Sequence, residues 1–454
     1  MQQPRENKMG TMPVGKLLLS MSVPVMISML VQALYNIVDS IFVAKISENA
    51  LTAVSLTFPL QNLMIAVGVG TAVGTGALLS RSLGEKNQVN VDKAANVGLF
   101  LSFASAIVFA ILGLLFIRPF FEMQTNVAEI VEGGVIYGKI CLGLSVGLFL
   151  QCCCERLLQA TGRTWLSMAT QLLGAVLNIV LDPILIFGLF GAPKLGIAGA
   201  AIATVIGQIV AAVAGIAINI CLNHEIHLHL REMRFQPAIV AEIYRVGAPS
   251  IVVQAIGSVM TFGMNKLLLV FSTTAAAVFG IYFKLQSFVF MPVFGLNSGM
   301  VPIISYNYGA GQLHRLKRTV WLAIGTATAI MAVGCTTAQL IPDKLLLLFN
   351  ASPDMLAIGV PALRIISVSF LLAGFCIIAS SVCQAVGNPI HSLIVSVARQ
   401  LFVLLPVAWL LSLTGRLELV WLAFPIAEVV SLTLSSLFLR SALRRVEKNI
   451  KTAE

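Results

Sequence analysis

The chain has 454 residues, of which 58% are hydrophobic and only 11% charged, with a net charge of +10. Soluble domains carry about 25% charged residues, so this composition excludes a soluble enzyme, a disordered chain and a disulfide-stapled secreted module. It leaves an all-α polytopic membrane protein. Its cations sit in short loops between apolar runs, where membrane topology rather than nucleic acid accounts for them.

A helix needs about 20 apolar residues to cross the hydrocarbon core. Runs of that length fall near 17–42, 51–80, 94–117, 133–155, 164–190, 196–222, 244–271, 275–305, 319–341, 355–384, 389–413 and 417–440, which makes twelve. The first run is too long for a cleavable signal peptide and lacks a small-residue cleavage site. With the tail 1–16 inside, the inside segments, with the inner helix ends at Arg245 and Arg440, hold nineteen Lys and Arg and the outside segments five. That asymmetry predicts that both tails, 1–16 and 441–454, lie in the cytoplasm, as in the inner (plasma) membrane of a prokaryote.

The sequence repeats at an offset of 225: Pro24 meets Pro249, Phe58 meets Phe283, Gln61 meets Gln286, Gly70 meets Gly295, Gly74 meets Gly299 and Ser80 meets Ser305. Further on, Gln159-Ala160-x-Gly162 meets Gln384-Ala385-x-Gly387. The repeat predicts two six-helix lobes, 17–222 and 244–440, joined by a cytoplasmic linker over 223–243. Six is even, so both lobes insert the same way and are related by a pseudo-two-fold axis along the membrane normal, as in parallel-repeat transporters. The linker histidines His224, His227 and His229 match no standard metal spacing and read as solvated. The eight cysteines, Cys152–Cys154 among them, read as small membrane-interior residues. No metal and no organic cofactor is expected.

Two motifs match by letters only. Gly10-x-x-x-x-Gly15-Lys16 mimics a phosphate loop, but Leu17 replaces the hydroxyl residue and no strand precedes it. Gly143-Leu-Ser145-Val-Gly147 mimics a hydrolase elbow but lies in a membrane run. A membrane-embedded enzyme therefore lacks a catalytic constellation.

Ionisable residues at membrane depth cost about 2.5–3.5 kcal/mol each and mark function by default. Here they are Asp39, Lys139, Asp182, Lys266, Lys284, Arg364, Arg399 and Glu428, with Glu155 and Arg156 near a cytoplasmic helix end. At 1.5 Å per residue, Asp39 lies roughly 33 Å along its helix from the inside, and Asn178 and Asp182 roughly 21 and 27 Å along theirs. All three fall in the outer half. Asn178 and Asp182 share a helix face, and Pro183 and Pro24 can act as hinges. Two carboxylates in one dry site cannot both ionise cheaply, so the cluster can take up H⁺ or coordinate Na⁺. Arg399 and Glu428, near mid-membrane on consecutive helices, should form a buried ion pair. Lys139 and Arg364 correspond by the repeat and read as framework; Lys266 should snorkel. Asp39, Asn178 and Asp182 correspond to Met264, Val403 and Val407, so the ion site should be confined to the N-terminal lobe.

Pro24, Gln32, Asp39, the run Ala53-Val-Ser-Leu-Thr-Phe-Pro59 and the run Asn178-Ile-Val-Leu-Asp182-Pro183 resemble those of the multidrug and toxic compound extrusion (MATE) transporters. The resemblance covers essentially the whole chain. It implies V-shaped lobes and export of bulky, mostly cationic amphiphiles by alternating access in exchange for H⁺ or Na⁺. It carries the family's ion network onto Asp39, Asn178 and Asp182, with Thr204 as a further member. Another branch of the family uses acids in the C-terminal lobe; the seventh, eighth and tenth runs here hold none. The expected cleft walls are Phe58, Gln61, Met64, Phe283, Lys284, Gln286 and Met291, since polarisable and aromatic faces suit apolar cations. The expected partners are small amphiphilic molecules and the bilayer, with the protein a monomer. The alternative is a lipid-linked precursor flippase of the same superfamily.

Overall fold

The computed structural model describes residues 7–349 and 351–452. Among them the chain is helical between short turns. Its first half gives α1 (Lys8–Thr11), α2 (Val14–Ala44), α3 (Glu48–Gly84), α4 (Gln88–Glu122), α5 (Ala128–Gly143), α6 (Val146–Ala160), α7 (Thr164–Phe187) and α8 (Ile197–Cys221). Its second half gives α9 (Pro237–Phe271), α10 (Thr273–Gly309), α11 (Leu313–Leu340), α12 (Pro342–Leu347), α13 (Pro353–Ala385), α14 (Pro389–Val397), α15 (Leu405–Ser412), α16 (Leu417–Val420) and α17 (Ala423–Lys451). A π-helical segment, Ala398–Leu404, joins α14 to α15.

Among the described residues eleven helices are long and apolar enough to cross a membrane, and α5 with α6 makes a twelfth that bends by 44°. This is a multi-pass membrane protein. The bend falls at the hydrolase-like motif, where the Ser145 hydroxyl donates to the Ala106 carbonyl at 3.3 Å. That serine is thus used in helix packing. Pro24 and Pro183 lie inside uninterrupted helices, where each removes one backbone donor.

The repeat reappears as hydrogen bonds. Ser47 and Ser272 each cap a helix by accepting from the amide three residues on, both at 3.0 Å. Ser80 donates to Ala160 O and Ser305 to Ala385 O, again both at 3.0 Å. Gln159 Nε2 donates to Ser167 Oγ at 3.0 Å and Gln384 Nε2 to Ser392 Oγ at 2.8 Å. Each pair is separated by 225 residues.

Lobe limits of 17–222 and 244–440 are not where the compact units divide. One unit takes Ile27–Ile251; the other takes the chain before Ile27 and after Ile251. The reason is close helix packing at repeated glycines. In the second unit the start of α2 lies on α10: a Cβ on Gly295 would stand 2.6 Å from Met26 Cα, and one on Gly299 2.7 Å from Ser22 Cα. In the first unit the start of α9 lies on α3: a Cβ on Gly70 would stand 3.0 Å from Gly247 O. Met26 and Ile251, which pack on Gly295 and Gly70, are themselves 225 apart.

The linker is shorter than 223–243, because α9 begins at Pro237. It is strapped to the start of α4. The His227 amide donates to Asp92 Oδ1 at 2.8 Å, and buried Asn96 bonds both the His227 carbonyl (2.9 Å) and the His229 amide (2.9 Å).

Substituting Ala at Gly295 or Gly70 should destabilise the protein by about 1–3 kcal/mol through overpacking. Gly280→Ala, where a Cβ meets nothing within 4 Å, should instead stabilise by roughly 0.5–1 kcal/mol. Thermal unfolding in detergent of the three variants checks the contrast.

Candidate functional site

Two helices that meet in the Ile27–Ile251 unit each carry a polar stripe at helical spacing. On α2 these are Gln32, Tyr35 and Asp39; on α7 they are Gln171, Asn178 and Asp182. Steps of three, four and seven residues keep each set on one face. The two faces meet. Gln171 Nε2 donates to Gln32 Oε1 at 2.7 Å, and the Asp39 and Asp182 carboxyls lie within hydrogen-bonding reach of one another. Asp182 is fully buried and Asn178 nearly so. Asn178 Nδ2 donates to Thr204 Oγ1 of α8 at 3.2 Å. The four residues expected to bind the ion therefore come together in one unit.

The cluster is rich in acceptors and short of donors. Asp39 Oδ1, both Asp182 oxygens and Asn178 Oδ1 are buried and receive no hydrogen bond from a donor among the described residues. Leaving a buried acceptor unpaired costs about 1–3 kcal/mol, more for a charged group. A proton shared between the carboxyls relieves part of that cost. A small hard cation does the same, because the site offers oxygen ligands only.

Several neighbours were not singled out from sequence. Tyr35 is within electrostatic reach of both carboxyls, and its position four residues before Asp39 was a readable signal. Gln171, seven before Asn178, was another. Tyr137 of α5 is buried, accepts from Gln61 Nε2 at 3.4 Å and pairs with Cys141. Nothing in its glycine-rich stretch marked it.

The expected wall residues fare unevenly. Phe58 is 63% exposed. Gln61 is tied to Tyr137. Met64 is corrected: it is only 2% exposed and packs in a core cluster with Ala106, Leu148 and Phe149. Six residues turn a helix by about 240° beyond a full turn, so Met64 cannot share the face of Phe58. On α10, Phe283 stacks edge-on against Phe279 at 4.9 Å, within a group that includes Tyr282, Trp421 and Phe424. Lys284 is exposed, with Nζ 5.9 Å from the Phe349 ring centre. Gln286 Oε1 is buried without a donor, and Met291 is half-buried.

In the other unit, Arg399 Nη1 donates to Glu428 Oε2 at 3.2 Å. Glu428 is buried, and Arg399 sits in the π-helical segment. Their repeat counterparts are Gly174 and Ala203. There α7 and α8 approach so closely that a Cβ on Gly174 would lie 2.9 Å from Gly207 O. One seam is closed by small residues; at the matching place its sister carries an ion pair, and the π-helical turns fall at Arg399.

Comparison with known proteins agrees with this architecture. The MatE family pattern matches residues 24–184 and 249–410. The multidrug export protein MepA of Staphylococcus haemolyticus is 28% identical over 435 residues, 95% of each chain. An FAD transporter of Shewanella oneidensis is 26% identical over 92% of each chain. A solved outward-facing multidrug resistance MATE family transporter superposes with a TM-score of 0.92 at 26% identity, covering 99% of this chain and all of that one.

Glu428→Gln leaves Arg399 charged without its carboxylate and should destabilise by about 3–5 kcal/mol. Arg399→Met combined with Glu428→Leu should recover wild-type stability or exceed it by about 1–4 kcal/mol. Thermal melts in detergent test stability, and transport by the double variant separates a packing role from one in transport.

Proposed function

This chain belongs to the MatE family, a family of transporters and not of enzymes, and from that premise we propose that it is a multidrug efflux antiporter. It exports amphiphilic, mostly cationic compounds by alternating access in exchange for H⁺ or Na⁺. The observation that carries this reading is the donor-poor cluster of Asp39, Asp182 and Asn178 in one unit only. Met264, Val403 and Val407 occupy the matching positions of the other.

An exchanger works only if the ion binds its two states differently. The helix that carries Asp39 supports such coupling, since α2 passes from one compact unit to the other at Met26/Ile27, two residues after Pro24. Any shift of α2 at that point changes how Asp39 meets Asp182. By linkage, an ion that lowers drug affinity is itself bound less tightly when drug is present. In the outward state the cluster takes up the ion and the drug leaves; in the inward state the ion is released and cytoplasmic drug binds. Exchange of one univalent drug cation for one proton moves no net charge, so the pH gradient alone drives it.

The positive-inside count supports cytoplasmic termini in a prokaryotic plasma membrane. Each chain supplies both repeats, so one chain is the transporting unit. A strongly anionic cargo, whether a dinucleotide like that of the Shewanella relative or a lipid-linked precursor, calls for clustered free cations. Of the two cations expected near mid-membrane in the second half, Arg399 is paired with Glu428 and Lys284 lies against Phe349.

In everted vesicles, Asp39→Asn and Asp182→Asn should each abolish ion-driven ethidium transport at wild-type expression. Separate pH and Na⁺ gradients identify the ion. Wild-type transport by either variant removes the proposed ion site.

A further inference from the structure

The acid pair lies at one end of a longer polar column. On α6, Gln151, Cys152, Glu155 and Gln159 recur at steps of three and four, forming a third polar stripe beside those of α2 and α7. Tyr35 connects the stripes: it lies within electrostatic reach of Asp39 and Asp182 and also of Cys152. Cys152 is one turn from Glu155 and within its field. Glu155 accepts from Gln151 Nε2 at 2.8 Å. Gln159 closes the column on Ser167 at 3.0 Å. Measured along the helices from the α6–α7 turn, Glu155 stands roughly 8 Å in and Asp182 roughly 27 Å in. The two acid sites therefore occupy different depths of the same unit.

The repeat separates scaffold from column. Gln159–Ser167 has its twin in Gln384–Ser392, so that bond is framework. The column residues have none: Tyr35, Cys152 and Glu155 correspond to Met260, Ile377 and Ser380. The fold does not need an acid at this place on α6. Around Glu155, α3 offers Gly76 to the stem of Arg156, α8 bonds the Cys154 carbonyl through Asn219, and α4 offers Ser102 to Cys153. The charged and titratable groups acting with Glu155 are Arg156, Cys152 and Cys154. Among the described residues no ion pair joins Glu155 to Arg156.

We infer that Glu155 is a second proton-exchange carboxyl, standing at the cytoplasmic end of the column and passing the coupling proton between the Asp39–Asp182 pair and the cytoplasm. The step is proton transfer alone. An O–H bond broken at the acid pair is replaced by one formed at a Glu155 oxygen, and from there the proton leaves to water. Tyr35 and Cys152 stand along the way as groups that can give and take a proton. The inference rests on the antiport reading with H⁺ as the coupling ion.

The test uses purified full-length protein in proteoliposomes with ethidium as cargo. Two assays run in parallel: pH-gradient-driven uptake, and ethidium counterflow, which needs no net proton movement. Glu155→Gln should slow driven uptake by about 10²-fold, the low end for loss of a positioned proton-transfer group. It should also remove the dependence of uptake on pH at the cytoplasmic face. Counterflow should persist, and Glu155→Asp should restore driven uptake in part. Driven uptake by Glu155→Gln with the wild-type pH dependence overturns the inference. So does loss of counterflow together with driven uptake in both Glu155 variants, which would make the residue structural. A wild-type protein that shows counterflow but no pH-driven uptake refutes proton antiport itself.

Discussion

Buried oxygen atoms without hydrogens to accept are the constraint on which this molecule turns. Asp182 is fully buried, and neither of its oxygens receives a bond from a described donor. The bundle had simple ways to avoid this, and its other half uses them, with Val407 and Val403 at the positions that correspond to Asp182 and Asn178. A cost of about 1–3 kcal/mol per orphaned acceptor is large against the few kcal/mol by which folds are stable. Its retention in one unit and its removal from the other make sense if an ion satisfies those oxygens during part of a cycle.

The duplication is what makes such an argument possible. Two copies of one six-helix plan share their serine caps, their Ser-to-carbonyl ties and their Gln–Ser bonds, at nearly equal distances. Hydrogen bonds that both copies keep are scaffold. An ionisable residue that one copy lacks is free to be function. By that criterion the acid pair, Tyr35 and Glu155 of one unit are free to be function, and so are Arg399 and Glu428 of the other. The same seam is small-residue packing in one unit and a buried ion pair in its sister.

Much of this was legible in the chain itself. Apolar runs marked the spans, and a constant offset of special residues marked the repeat, because Gly, Pro and capping Ser are dictated by backbone geometry and survive where ordinary core residues drift. Asp39, Asn178 and Asp182 announced themselves by charge and spacing. Other features were not legible. The unit boundary lies inside α2 and α9, where no composition shift records it; it follows from glycines on α3 and α10 far away in sequence. Met64 read as a wall residue, but its helical phase relative to Phe58 turned it into the core. The bend between α5 and α6 lies at Leu144–Ser145, with no proline to mark it.

The composition of the cluster suggests how ion affinity comes to depend on conformation. Asp39 and Asp182 sit on different helices, and α2 also belongs to both compact units. A shared hydrogen bond between two carboxyls is sensitive to separation: with a small displacement the proton is held by one group alone, in a different field. On the antiport reading proposed above, two acids on two helices would convert helix position into ion affinity, which a single carboxyl on one helix could not do. Asn178 fits the same logic. On the same reading its amide oxygen, buried without a donor, would offer a ligand without another negative charge, while its nitrogen donates to Thr204. A third carboxylate there would bind the ion tightly in every state, and an ion bound equally well in all states drives nothing.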